Sequence, residues 1–338
     1  MARKHIGAQT VRLEQPPVIV GAAAVAGPVE AQGPLGHEFD LTYPDLTVGQ
    51  DSFEKAERQM MIDACNLALR RAGIQQKPPA VDYFLAGDLL NQLITTAFSG
   101  LELGVPLYGL YGACSTFTEA LSLGAKLIDG GFADRVLCAV SSHYGSAERQ
   151  YRYPTEYGSQ RKPYAQHTVT GAGAVVLASA GEGPRITYCT TGKVVDWGVA
   201  DPLNQGAAMA PAAVDTIEAH LRDTGRSVDD YDLIVTGDLA KFGYEMARRL
   251  AAERNLYLGE NYRDCGVMVY DTTKQNVDSG GSGCASSAIV TCGHLLKEMA
   301  RGRLRRLLVV STGSLFSPTS FQQGESIPTI AHAVAVEA

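Results

Sequence analysis

The chain has 338 residues, 45% of them apolar, enough to bury a substantial core in one large body or two fused domains. Its 36 glycines and few aromatics (7%) suit tightly packed α/β layers and exclude a coiled coil or a disordered chain. Lys plus Arg number 29 against 36 Asp plus Glu, a formal charge of -7 that gives no global attraction for nucleic acid, so an anionic ligand must be met by a local cluster.

Seven scattered cysteines, with no CxxC pair, read as reduced thiols of a cytosolic compartment and not as a disulfide framework. Arg3 and Lys4 precede an apolar run from Val18 to Gly27, but Arg12, Glu14 and Pro16–Pro17 break the stretch between them, so a signal peptide is not expected. No apolar run reaches the roughly eighteen residues of a spanning helix, and membrane association is expected only through partners or a surface patch.

In chain order, Val18–Ala24 reads as a buried strand. Asp51 or Ser52 caps a helix that runs to Arg71 and stops at Gly73. Val81–Gly87, Pro106–Leu110 and Arg135–Ser141 read as strands too apolar to be solvated on one face. Cys114 to Gly130 has helical spacing at Phe117, Leu121 and Ile128, and Gly171–Ser179 and Arg185–Lys193 are two further strands.

The second half repeats the first. Val81-Asp-Tyr-Phe-Leu-Ala-Gly-Asp-Leu89 returns as Tyr231-Asp-Leu-Ile-Val-Thr-Gly-Asp-Leu239, and Gly112-Ala-Cys-Ser-Thr returns within Gly281-Ser-Gly-Cys-Ala-Ser286. The helix and strand ending at Val140-Ser-Ser return as Arg301 to Thr312. The series implies a duplicated set of β-α-β units, residues 1–183 and 184–338, each covering the other's sheet.

Cys114 follows an apolar strand and a Gly-Ala turn and, with Ser115, opens a helix. Free N–H groups and the helix dipole there lower a thiol's pKa and favour an anion, so Cys114 is either a nucleophile or a pocket floor; a small buried thiol is the plain alternative. The duplication brings the loops 236–241 and 280–284 over it, with Asp238 and Cys284 but no histidine. His143, after the Arg135–Ser141 strand, is the one histidine placed to act as a base. Asp88 and Asp238 sit in equivalent Gly-Asp turns. Lys193, Asp196 and Trp197 put a cation, an anion and a ring in one loop that suits a carboxylate-bearing aromatic ligand. Tyr144, Arg149, Tyr151, Arg152, Tyr153 and Tyr157 suggest a structural or dimer contact. No metal spacing, Walker loop or dinucleotide fingerprint is present, and no cofactor is expected.

The duplicated set with a cysteine at the start of a central helix resembles the thiolase superfamily of thiolases and ketoacyl synthases. That implies a five-layer αβαβα sandwich of two similar halves. Within it the chain resembles the stage V sporulation protein AD family through Gly33-Pro-Leu-Gly-His37, Leu85–Gln92, Gly112–Thr116, Ser141–His143, Ala147–Gln150, Arg152–Gly158, Met209–Ala213, Gly280–Cys284 and Glu325–Pro328. The resemblance implies binding of dipicolinic acid for uptake into the developing spore, partners among the membrane proteins of the same complex, and a homodimer with the Pro106–Leu110 strands adjacent. It sets Cys114 on the acyl-accepting position. Thr236–Leu239 and Gly280–Cys284 fall where the superfamily's other motifs supply His or Asn, and here they supply neither. The reading is a non-catalytic binding protein, with Asp88, Asp196 or Asp201 open to sharing calcium if the ligand arrives as a chelate. An acyl-transferring enzyme using Cys114 is the alternative.

Overall fold

The computed structural model describes residues 2–151 and 161–338. The first half supplies β1 (Val18–Ala26), α1 (Phe53–Arg71), β2 (Tyr83–Gly87), α2 (Ile94–Leu103), β3 (Leu107–Gly109), α3 (Thr116–Asp129), β4 (Arg135–Ser142), α4 (Tyr144–Tyr151) and β5 (Gly171–Ala178). The second supplies β6 (Arg185–Thr190), α5 (Gln205–Thr224), β7 (Leu233–Thr236), α6 (Ala240–Glu253), β8 (Tyr262–Asp264), α7 (Cys284–Val290), β9 (Arg306–Ser314) and β10 (Thr329–Glu337).

The ten strands run in the order β8-β7-β9-β10-β6-β1-β5-β4-β2-β3. Counted within each half, both read 3-2-4-5-1, so the internal repeat in the sequence is also a repeat of topology. In each half only the fifth strand runs against the rest, antiparallel to both the fourth and the first. The other strands are parallel, as crossover helices require.

Layering follows from burial. All seven residues of α7 are buried, against β5, β4 and β1. The α3 helix packs on β4 and β2 of its own half and on β10 and β9 of the other. These two helices form the central layer. On the outside, α1 covers β1, β5 and β4, and α5 covers β10 and β9, which completes the αβαβα order. Helix α1 begins as its sequence dictates: Ser52 Oγ accepts from Lys55 N at 3.3 Å, and Gly73, at φ +73°, lies just past its end.

One expected element differs. The apolar stretch around β3 lies at the sheet edge with all three residues exposed, not buried on both faces. Leu107 and Tyr108 stand 39% and 52% exposed, beside Phe98 and Leu101 of α2.

Candidate functional site

The turn that carries Cys114 is fixed by its own neighbours. Gly112 O accepts from Ser115 N at 3.1 Å and Ser115 Oγ at 2.6 Å, and Thr116 Oγ1 donates to Ala113 O at 2.6 Å. Ala113 is held at φ +49°, an unfavourable conformation for a residue with a Cβ. The end of β9 closes from below: a Cβ on Gly313 would stand 2.2 Å from Gly112 O, so only glycine lets that strand approach. Ser115 is therefore a buried brace for the turn.

Asp238 faces the thiol. Its carboxylate accepts from Thr312 Oγ1, from Ser282 Oγ at 3.2 Å and from Gly283 N at 3.2 Å. The turn bearing Asp238 is held by Asp264, whose carboxylate accepts from Thr236 Oγ1 at 2.8 Å, Leu239 N at 2.9 Å and Ala240 N at 3.0 Å. Burial pushes Asp238 up to about 6 and Asp264 up to about 7.

The electrostatics reverse the expectation for the thiol. Burial first, then the charge of Asp238 and the neighbouring Cys284, push Cys114 well above the usual thiol range, while the Gly283 N–H opposes them. The helix dipole is outweighed, and the sulfur stays protonated. Cys284, at the equivalent place in the other half, donates to Ala113 O at 3.1 Å and is fully buried.

Above the thiol the cavity measures about 30 Å³, the volume of one water and much less than the deep pocket expected. Its lining draws on both halves: Leu89, Tyr111, Ala147 and Tyr151 from one, Gln205, Ser282, Ser314 and Phe316 from the other. The Tyr111 and Tyr151 hydroxyls stand 3.1 Å apart, and the Tyr151 ring meets Phe316 edge-on at 6.2 Å. Ser314 is only 5% exposed, and its Oγ has no hydrogen-bond partner. Among the described residues no Lys, Arg or His lines this space.

Several sequence candidates lie elsewhere. Asp88 is spent on the start of α2, accepting from Leu90 N at 2.9 Å, Thr96 N at 2.8 Å and Thr96 Oγ1 at 2.7 Å. His143 does not line the cavity: its Nε2 bonds Leu46 O at 2.8 Å and its Nδ1 accepts from Gly145 N at 3.0 Å, which leaves no nitrogen for base catalysis. Lys193, Asp196 and Trp197 do not line it either. They flank a strap in which Val195 pairs with Thr329 along β10, and Trp197 is 55% exposed. Of the proposed calcium ligands, Asp196 accepts from Gly198 N in its own turn and from Ser326 Oγ, and Asp201 from Leu203 N in its own turn and from Tyr164 OH. Tyr151 lines the cavity, Tyr144 stacks on His167, and Arg149 pairs with Glu54. Arg152, Tyr153 and Tyr157 lie outside the described residues.

Sequence reading missed Thr312, Ser314, Phe316, Gln205 and Asp264. The match of Arg301–Thr312 to the strand ending at Ser142 was the available signal for the first two; the others become neighbours of the site only through packing. Among the described residues one group has metal-ligand chemistry, Glu38, His294 and Glu298, with ligand atoms within 4.8 Å of one another. Arg301 Nη1 already bonds both carboxylates at 2.8 Å, so their charge is matched without an ion.

The sequence model of the stage V sporulation protein AD family matches residues 7–337. Stage V sporulation protein AD of Bacillus subtilis (strain 168) is 48% identical over 334 residues, covering 99% of this chain and 98% of that protein. The chain belongs to the stage V sporulation protein AD family. Its fold is thiolase-like. The 3-oxoacyl-[acyl-carrier-protein] synthase III of Aquifex aeolicus VF5 aligns with TM-score 0.59 at 15% identity, covering 95% of this chain and 100% of that one. Cerulenin-bound OleA of Xanthomonas campestris aligns with TM-score 0.63 at 14% identity, covering 96% and 99%. At such identity these structures speak for the fold, and chemistry must be read from the residues here.

Proposed function

We propose that the chain is a non-catalytic binding protein of sporulating cells whose ligand is dipicolinic acid, held at the Cys114 cavity. The family name places the role in sporulation. One observation carries the non-catalytic reading: the thiol faces a carboxylate, and among the described residues no imidazole lines the cavity to stabilise a thiolate or an oxyanion as an ion pair. A carboxylate there opposes both the thiolate and any negative charge that develops beside it.

The cavity suits a ring with polar edges. Tyr111, Tyr151 and Phe316 offer an aromatic wall, and Ser314 and Gln205 offer donors. Seating a ring requires the Tyr151–Phe316 contact to open, since the closed space holds one water. With Asp238 beneath and no cation among the described residues of the lining, a free dianion is disfavoured, and the neutral calcium chelate is the form that fits. The halves 1–183 and 184–338 then act as one body, because the cavity needs both.

We extend the proposal to partners. No helix among the described residues is long and apolar enough to cross a membrane, so membrane proteins of the same sporulation complex would provide the attachment. The exposed edge strand β3, with Phe98 and Leu101 beside it, suits pairing with a second copy of the chain. Titration calorimetry with dipicolinate, with and without calcium, tests the ligand. The reading expects heat with the chelate that disappears in Ser314→Leu, which fills the cavity; no heat at millimolar chelate removes it.

A further inference from the structure

A second cavity, of about 410 Å³, opens where the N-terminal arm crosses the far end of α3. It is lined by His5, Gln9 and Val11 from the arm, Lys126 from α3, and Thr191 and Lys193 after β6. Lys126 is twelve residues beyond Cys114, so the two cavities sit about 18 Å apart along the helix.

Its charge is one-sided. Among the described residues no acidic side chain lines it. Lys126 Nζ donates to Thr191 Oγ1 at 3.1 Å, and among the described residues neither Lys126 nor Lys193 has an ion-pair partner. The nearest acids are already engaged. Asp129 accepts from Lys4 Nζ at 2.7 Å, Glu14 N at 2.9 Å and Gln15 N at 2.7 Å. Asp223 accepts from Gln9 N at 2.9 Å and Thr10 N at 3.1 Å and pairs with Arg222. In a chain of net charge -7, two unpaired ammonium groups and an imidazole converge on one hollow with an apolar floor at Val11.

We propose that this hollow is a second, cationic ligand site that holds a small dianion, a dicarboxylate or a phosphate, between the ammonium groups of Lys126 and Lys193. The site does not depend on the reading of the Cys114 cavity. It has what that cavity lacks for a free dianion: room, positive charge and no carboxylate. The Thr191 hydroxyl, already within reach of Lys126, adds a neutral donor for the anion's edge.

The test is titration calorimetry of the full chain with calcium-free dipicolinate and, separately, with inorganic phosphate. At least one should bind. Raising the salt from about 20 mM to about 500 mM should weaken it, because the contacts are partly exposed ion pairs. The double variant Lys126→Ala, Lys193→Ala should lose affinity about tenfold, as two such pairs of ordinary strength allow, with an unchanged circular dichroism spectrum. Ser314→Leu separates the two sites: it abolishes chelate binding at the Cys114 cavity and leaves the anion bound here. Which anion binds tells a dicarboxylate site from a phosphate site. No binding of either to the parent chain, or equal affinity in the double variant, overturns the proposal.

Discussion

The Cys114 thiol faces the Asp238 carboxylate, and the two residues stand at the meeting of the two halves of the molecule. The pair defines the chemistry of the cavity. A carboxylate beside a buried thiol holds the proton on sulfur, and the same carboxylate is kept dry by Thr312, Ser282 and the Gly283 amide.

Thiol reactivity follows from that pair. Iodoacetamide should label Cys114 far more slowly than a free thiol at pH 8, because burial and Asp238 both raise its pKa. Asp238→Asn keeps the shape and removes the charge. It should speed labelling about tenfold, the effect of one pKa unit. Peptide mass mapping of the labelled site checks this, and an unchanged rate would show that Asp238 does not control the thiol.

Glu57 of α1 offers a pH test. Its carboxylate accepts from Ser141 Oγ and Ser146 Oγ, both at 2.9 Å, and burial, then nearby Asp88, push it up to about 8. The folded chain therefore holds this proton more tightly than the unfolded chain. The resulting stability is full below the ordinary glutamate range and is lost as pH rises from about 4.5 to about 8. Glu57→Gln has no proton to lose. Relative to the parent it should gain on the order of 1 kcal/mol per pH unit across that window, as urea unfolding at pH 5, 6.5 and 8 would show. A difference that does not vary with pH would contradict the assignment.

Asp88→Ala should act on stability through α2. Removing the acceptor for Leu90 N, Thr96 N and Thr96 Oγ1 should cost about 1–2 kcal/mol. Chemical denaturation measures the loss, and Asp88→Asn should recover part of it because an amide oxygen still accepts. Equal losses in the two variants would mean that the hydrogen bonds are not the cause.

Much of the fold was legible because periodicity and caps are local. Val18–Ala26, the Ser52-capped helix and the turn at Cys114 each carry their signal within a few residues, and the repeat of Gly87-Asp88 at Gly237-Asp238 disclosed the duplication. The losses came from tertiary placement. Asp88 and His143 look available in sequence, yet their partners, Thr96 and Leu46, meet them only in the folded chain. Apolar Leu107 and Tyr108 read as buried, since sequence does not mark which strand ends a sheet. The strand read as Arg185–Lys193 ends at Thr190, and the course of the strap that follows along β10, away from the thiol, is set by the Val195–Thr329 pairing.

The edge strand gives a test of assembly. Leu107→Pro removes an outward-facing β3 N–H and an exposed apolar side chain, so it should shift the proposed dimer to monomer in sedimentation velocity. A parent chain that is already monomeric at micromolar concentration would exclude the pairing.

The most direct test of the binding account is intact-mass measurement after incubation with acyl-CoA thioesters of several chain lengths. The account predicts an unmodified chain and no release of free CoA, since the Cys114 sulfur keeps its proton and faces Asp238. A stable acyl adduct mapped to Cys114, with turnover of the thioester, would contradict it.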